Sequence, residues 1–241
     1  MQESALAGGI AVVIDVLRAS TTIVTALAHA AERVRPVRTV TEARAEAIAS
    51  HALLGGERGG LRIDGFDLGN SPLEYTRERV AGRPIVITTT NGTAALHACT
   101  AAAEVLIGAV VNCAAVAATA RALAAEHGGC DIHLVCAGTD GAVTEEDLLA
   151  AGAILDAASQ LPGGGQDAID AAGHEALARF RSVLAEGPTA PEAIVRAFVD
   201  SRGGRNLIEL AMAADLPAAA AIDALTTVPR LDPATGWLVA G

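Results

Sequence analysis

The chain has 241 residues, of which 28 are acidic and 17 basic, and its formal net charge at pH 7 is −11. This negative balance, together with an aromatic content of 2%, argues against binding to nucleic acid or to an anionic membrane. All 17 basic residues are arginine, so a Walker A phosphate loop, a PLP Schiff base and a lysine nucleophile are excluded.

Short β-branched runs alternate with longer Ala- and Leu-rich segments through the first part of the chain. This alternation predicts an α/β fold, a three-layer α/β/α arrangement with a mostly parallel or mixed central sheet. The predicted strands are 10–16, 34–37, 52–54, 85–89, 105–107 and 132–136. Helix starts are predicted at Ser20 or Thr21, in a capping box at 39–42, at 71–74 and at 144–147.

From about residue 150 the sequence becomes mainly helical, with predicted helices at 151–160, 168–184 and 191–201. We interpret this part as a helical layer over the sheet, so that residues 1–241 form a single domain. A separate small helical domain is the alternative. The tail from 229 to 241 is expected to pack late or to stay mobile.

Polar loops follow several predicted strands. In an open parallel sheet the loops at the carboxyl ends of the strands converge on the ligand, and helix amino ends point there as well. The loops on that side are "DVLRAST" (15–21), "GGERGGLRIDGFDLGNSP" (55–72), "TTTNGT" (88–93) and "CAGTDGAVTEED" (136–147).

The first loop places a carboxylate at a strand tip and hydroxyls at the next helix start. Asp15 suits a hard cation such as Mg²⁺, and Arg18 offers a planar fork to a tetrahedral anion. The hydroxyls that follow, Thr21 among them, suit phosphate oxygens. The alternative is a turn aspartate with ordinary capping hydroxyls.

The second and third loops carry further charged and amide groups. Glu57 and Asp67 could bind a metal or act as acid or base, and Arg58 could clamp an anion. The alternative for this loop is a solvated Gly-rich segment with salt bridges. In the third loop, residues 91–93 offer amide and hydroxyl donors at a helix start, although Asn-Gly is also typical of a hairpin turn.

The fourth loop brings carboxylates close together in sequence, at Asp140, Glu145, Glu146 and Asp147. They could complete a metal site, for which Glu146 and Asp147 are preferred. The alternative is simple matching of acidic residues to the dipole of the helix that follows.

Several segments of this sequence, taken in order, resemble the motifs of the 2-phosphosulfolactate phosphatase family. They are "VIDVLRASTT", "GERGG…GFDLGNSP", "TTTNGT" and "CAG…G…EDLLAAG". This is a Mg²⁺-dependent group linked to coenzyme M biosynthesis in methanogens and found in many bacteria. "DLPAAAAIDALTTVP" is similar to the family's closing segment, whereas Ala94 stands where the family has a basic residue. The resemblance implies a three-layer α/β/α fold, Mg²⁺ as cofactor, and hydrolysis of a phosphate ester on a small acid with a second anionic group.

Carried onto matching positions, the resemblance implies three sets of site residues. The catalytic candidates are Asp15, Arg18, Glu57 and Asp67, the substrate-binding candidates are Thr21, Arg58, Asn70, Ser71, Asn91, Gly92 and Thr93, and the metal-binding candidates are Asp15, Glu57, Asp140, Glu146 and Asp147. A carboxylate, Asp67 or Asp15, would orient water or attack as the nucleophile.

We therefore predict a phosphatase acting on the phosphate monoester of a sulfonated or carboxylated 2-hydroxy acid, with 2-phosphosulfolactate as first choice. The alternatives are a Mg²⁺-dependent lyase or transferase on a phosphorylated small acid, and a non-catalytic phosphate- or sulfonate-binding protein. The expected partner is the anionic phosphorylated substrate, without nucleic acid or membrane, and a homo-oligomer is left open. The absence of a C-x-x-C pair and of a secretion signal predicts a cytoplasmic protein.

Overall fold

The computed structural model describes residues 6–241, apart from the side chain of Gln166. Within this range a nine-stranded mixed sheet is surrounded by helices, which confirms the predicted α/β class. The strands are β1 (Ile10–Ile14), β2 (Arg33–Pro36), β3 (Leu53–Arg58), β4 (Leu61–Arg62), β5 (Pro84–Thr88), β6 (Glu104–Gly108), β7 (Ile132–Cys136), β8 (Pro229–Leu231) and β9 (Leu238–Ala240). The helices are α1 (Ala19–Ala28), α2 (Val40–Ser50), α3 (Arg77–Val80), α4 (Gly92–Ala98), α5 (Cys113–Glu126), α6 (Glu145–Gln160), α7 (Ala171–Glu186), α8 (Ala190–Asp200), α9 (Arg202–Glu209) and α10 (Asp215–Ala219).

The strands predicted from the sequence are all present, and β7 has the predicted bounds. The strand predicted at 52–54 is longer than expected, because the glycines after it continue the parallel pairing with β5. Gly56 lies at a φ of +135° and opposes Thr88, so a side chain at this position would clash with the Thr88 backbone. This extension carries the chain as far as Glu57, which belongs to the site described below.

The predicted helix starts have mixed outcomes. The capping box before α2 is present: the Glu42 amide donates to Thr39 Oγ1 at 3.1 Å, and the Thr39 amide donates to Glu42 Oε2 at 3.0 Å. The start predicted at 71–74 is confirmed only in position, since Pro72–Glu74 forms a 3-10 turn and not an α-helix. Ser71 does not cap it, because its hydroxyl donates to Asp215 instead.

The tail of the chain lies in the middle of the sheet, so the alternative that it stays mobile is wrong. The sheet order is β4-β3-β5-β2-β9-β8-β6-β1-β7. β8 and β9 form an antiparallel hairpin that pairs with β6 on one side and β2 on the other. This hairpin joins one parallel group, β3-β5-β2, to a second, β6-β1-β7. Strands of three residues carry too little alternation to be recognised in the sequence.

Helix α1 packs across the middle of this sheet. It contacts β2, β6, β8 and β9, and every residue from Ala19 to Val24 is buried. The carboxyl ends of strands far apart in the sheet order nevertheless face the same cavity. The loops after β1, β3, β5 and β7 are brought together in this way.

The second part of the chain is mainly helical, as predicted. α6 packs against both α5 and α7, and α8 connects α7 to α9. The same continuous set of buried apolar side chains includes Val12 in the sheet, Phe180 in α7 and Phe198 in α8. The single domain over 1–241 stays a prediction. No helix between residues 6 and 241 has both the length and the apolar character needed to cross a membrane.

Truncation of Leu238 should test the role of the central hairpin. This side chain is fully buried at the pairing of β9 with β2. We expect Leu238→Ala to lower the free energy of unfolding by about 2–5 kcal/mol in urea titrations, because the cavity it leaves is enclosed. Val239→Ala is the control, since Val239 is exposed on the same strand, and it should cost much less. Equal effects of the two substitutions would contradict a structural role for the hairpin.

Candidate active site

A cavity of about 290 Å³ opens where the loops after β1, β3, β5 and β7 meet the first turns of α6 and α9. Its volume is at the lower end of the range for small-molecule sites, which fits a small acid better than a nucleotide. The predicted site residues that line it are Asp15, Arg18, Glu57, Asn70, Asn91, Glu146 and Asp147.

Glu57 connects two of the converging loops through hydrogen bonds. It is buried at the end of β3, and its Oε1 accepts from the Thr90 amide and its Oε2 from the Gly60 amide, both at 2.7 Å. One carboxylate therefore connects the β3–β4 turn to the loop after β5. Charge-assisted bonds to backbone amides are stronger than neutral ones, so this side chain fixes the loop positions.

Asp147 does the same for the other pair of loops. It lies in the first turn of α6 and is buried, with Oδ1 accepting from the Val16 amide at 2.9 Å and Oδ2 from the Gly138 amide at 3.0 Å. Burial raises the pKa of Asp147 well above its ordinary value, and the charge of nearby Asp15 raises this pKa further. The loops after β1 and β7 are thus connected through one buried carboxylate.

Glu146 is different, because half of its carboxylate is left without a partner. Oε1 accepts from the Gly203 amide at 3.1 Å. Oε2 is buried and has no hydrogen-bond partner among the described residues, and the same is true of Oδ1 of Asn70. Buried oxygens are nearly always satisfied in folded proteins, so these two atoms point to a ligand that supplies the missing partner.

Asp15 lies at the carboxyl end of β1 and is half-buried. Burial raises its pKa from 3.8 to about 6, and the charges of Glu57 and Glu146 contribute to the rise. The loop after β5 comes very close to it, since a Cβ at Gly92 would lie 2.6 Å from Asp15 Oδ2. Glycine is needed at position 92 for this approach, which is the physical basis of its predicted role.

Arg18 is almost completely buried, with 3% of its side chain exposed. Its Nη1 is paired with Asp215 Oδ2 at 2.7 Å, and its Nη2 donates to the Gly60 carbonyl at 2.8 Å. Asp215 also accepts from the Ser71 hydroxyl at 2.5 Å. The predicted residues Arg18 and Ser71 therefore meet at an aspartate that the sequence analysis did not single out.

Helix α9 closes the cavity and was also missed. It contributes Arg202, Gly203, Asn206 and Leu207 to the lining, whereas the sequence predicts only a covering helical layer in this part of the chain. The signal available was the segment "SRGGRN" (201–206), in which Ser201 caps the helix by accepting from the Gly204 amide at 3.0 Å. Two arginines beside paired glycines are unusual in a helix that only fills a layer.

The remaining predicted residues lie outside the cavity lining, each with a contact elsewhere. The exposed Asp67 accepts from the Leu54 amide at 2.8 Å, and Asp140 pairs with Arg202 at 2.5 Å with 76% of its side chain exposed. The structure thus separates Asp67 and Asp140 from the carboxylates of the cavity. The others are engaged as follows: Thr21 Oγ1 donates to the Val16 carbonyl, Thr93 Oγ1 to the Thr89 carbonyl, and Arg58 Nη2 to Thr88 Oγ1.

The donor set of the cavity fits a hard divalent cation. Within residues 6–241, no three His, Cys, Asp or Glu side chains are grouped closely enough to hold a metal ion by themselves. Mg²⁺ does not require such a cage, because it is usually held by one or two carboxylates, with waters and substrate phosphate completing its shell. The unpartnered oxygen of Glu146, the carboxylate of Asp15 and the unpartnered amide oxygen of Asn70 are ligands of that type.

Comparison with known proteins agrees with the loop motifs. The family model for 2-phosphosulpholactate phosphatase matches residues 1–233. A probable 2-phosphosulfolactate phosphatase of Synechococcus sp. (strain RCC307) is 41% identical over 226 residues, covering 92% of this chain and 89% of the relative. Relatives of the same name are 42% identical over 226 residues in Deinococcus radiodurans (93% and 88% covered) and 40% identical over 229 residues in Symbiobacterium thermophilum (93% and 91% covered). The chain therefore belongs to the 2-phosphosulfolactate phosphatase family.

Proposed function

We propose that this phosphoric monoester hydrolase cleaves 2-phosphosulfolactate to sulfolactate and phosphate, and that it requires Mg²⁺. Family membership supports the substrate, since the relatives that cover most of the chain are named for it. The four cysteines are free thiols, which fits a reducing compartment, and we propose the cytoplasm.

The observation that carries the metal requirement is the unpartnered Oε2 of Glu146 beside Asp15. Four carboxylates line the cavity together with two arginines, and one of those arginines is already paired with Asp215. Negative charges held together out of water need compensation, and the raised pKa of Asp15 is a measure of that need. A divalent cation provides it.

The carboxylates divide into two kinds. Both oxygens of Glu57 and both oxygens of Asp147 accept from backbone amides, so these two residues mainly hold the loops in place. Asp15 and Glu146 keep oxygens available, and we assign the metal to them, with the amide oxygen of Asn70 nearby. When bound, Mg²⁺ would act as a Lewis acid on the phosphoryl oxygens.

The phosphoryl group would lie between these carboxylates and the donors of the loops after β1 and β5. Arg18 has five N–H donors, of which its contacts with Asp215, Met212 and Gly60 use three. The side-chain amide of Asn91 also lines the cavity. Fixed donors of this kind stabilise the charge on the transferred group without having to reorganise during the reaction.

Asp15 is the carboxylate best placed to act on the attacking atom, because it lines the cavity and Asp67 does not. Because the pairing with Asp215 keeps Arg18 in a single orientation, the phosphate would be presented to Asp15 in a single orientation as well.

An assay with purified protein should test the function directly. We expect release of inorganic phosphate from 2-phosphosulfolactate in the presence of Mg²⁺ and none after addition of EDTA, with sulfolactate as the only organic product by NMR. A change in the carbon skeleton would indicate a lyase or transferase instead. Binding of the substrate without turnover would indicate a binding protein.

Substitution of Glu146 should test its role as a metal ligand separately from its role in the structure of helix α6. We expect Glu146→Gln to lower kcat/KM by at least about 100-fold, because a metal-directed carboxylate oxygen is lost. The isosteric amide keeps an acceptor for the Gly203 amide, so the fold should be retained by circular dichroism. The matched control is Glu145→Gln, since Glu145 lies on the same turn and pairs with Arg179 on the surface. Similar losses in both variants would contradict the assignment.

The pH dependence of stability should report on Asp15. In EDTA the folded protein binds the Asp15 proton more tightly than the unfolded chain does, because its pKa is raised to about 6. The free energy of unfolding should therefore fall as the pH rises from about 4 to about 6, by about 1–2 kcal/mol from this group. We expect Asp15→Asn to flatten this fall and to weaken the stabilisation by Mg²⁺ at pH 7.5, measured by urea titration. The exposed Asp64 offers a control, since Asp64→Asn should leave both unchanged.

A further inference from the structure

We propose that Arg202 and Asn206 bind the sulfonate of the substrate and so determine which phosphate esters the enzyme accepts. This inference rests on the proposed function and deepens it. The two residues lie on α9, outside the loop motifs that carry the family resemblance, and both line the cavity. Being four positions apart on a helix, they share one face.

The charges of the cavity point to Arg202 rather than to Arg18. The lining contains two arginines. Arg18 is held in the interior by its ion pair with Asp215, where 3% of each side chain is exposed. Arg202 is 58% exposed and its partner, Asp140, is 76% exposed. A solvent-exposed ion pair contributes little free energy, so Arg202 can exchange Asp140 for an anion of the substrate at small cost.

The position of α9 brings this arginine beside the metal-directed carboxylate. The amide of Gly203, the residue after Arg202, donates to Glu146 Oε1 at 3.1 Å. The first turn of α9 is therefore attached to the same side chain whose other oxygen has no partner in the described part of the chain. The phosphorus and sulfur of 2-phosphosulfolactate are separated only by one oxygen and two carbons, so a phosphate held near Glu146 would leave the sulfonate within reach of this turn.

The chemistry of the sulfonate fits these donors. A sulfonate is fully ionised at neutral pH, spreads its charge over three oxygens and is a weak ligand for hard cations. It is better matched by a planar guanidinium and an amide NH₂ than by Mg²⁺. Asn206 is on the rim next to the β3–β4 turn, where its Nδ2 would lie 3.3 Å from a Cβ on Gly60. The turn and α9 thus enclose the sulfonate end of the cavity.

The test compares two substrates, 2-phosphosulfolactate and 2-phospholactate, which has the same carboxylate and phosphate but a hydrogen in place of the sulfonate. We expect Arg202→Gln to lower kcat/KM for 2-phosphosulfolactate by about 10- to 100-fold, mostly through a higher KM, because charge-assisted hydrogen bonds are lost. For 2-phospholactate the change should stay within about threefold. Arg202→Lys should recover part of the loss. Arg205→Gln is the matched control, since Arg205 is an exposed arginine on the same helix that does not line the cavity.

Equal losses on both substrates would overturn the inference while leaving the phosphatase activity in place. If the wild type hydrolyses neither substrate, the proposed function fails, and calorimetric titration with sulfolactate and with lactate decides the inference separately. Weaker binding of sulfolactate by Arg202→Gln, with binding of lactate unchanged, supports a sulfonate site. Sulfolactate binding that is unaffected by the substitution overturns it.

Discussion

The cost of holding several negative charges in one small cavity determines how this site is built. Carboxylates taken out of water need hydrogen-bond donors or cations close by. Glu57 and Asp147 are each satisfied by two backbone amides from different loops, and those bonds fix where the loops lie. Asp15 and Glu146 are satisfied less completely, and the chemistry is expected at these two residues. The same carboxylate type therefore serves as scaffold in one place and as reactive group in another.

The fold brings these charges together from loops that are far apart in the sequence. Strands that are distant in the sheet order end at one cavity, and helix α1 packs across the strands between them. The cavity draws on both parallel groups of strands, with Asp15 from one and Glu57 from the other. The relative position of the two groups depends on the hairpin of β8 and β9 between them. The packing of this hairpin in the middle of the sheet therefore affects the positions of the residues that line the cavity.

The sequence predicted the parts of the site that follow strands, because a polar residue such as Asp15 at the end of an apolar run can be recognised from the sequence alone. It did not identify Asp215 or α9, which reach the cavity only through tertiary packing from a helical segment of ordinary composition. Other residues were predicted from the sequence but do not belong to the cavity. Asp67 and Asp140 occupy suggestive positions in the loops, but the structure turns them towards a backbone amide and a surface arginine. Sequence shows which residue types are present, whereas the direction of a side chain within a long loop depends on what surrounds it.

The central placement of β8 and β9 has a consequence for biosynthesis. Both strands follow every other strand in chain order, yet they are inserted between β2 and β6. A nascent polypeptide must keep two incomplete half-sheets apart, with two unprotected strand edges, until this segment has been translated. The sheet is thus completed only after β8 and β9 have been synthesised, and truncated products that lack them would expose the edges of β2 and β6.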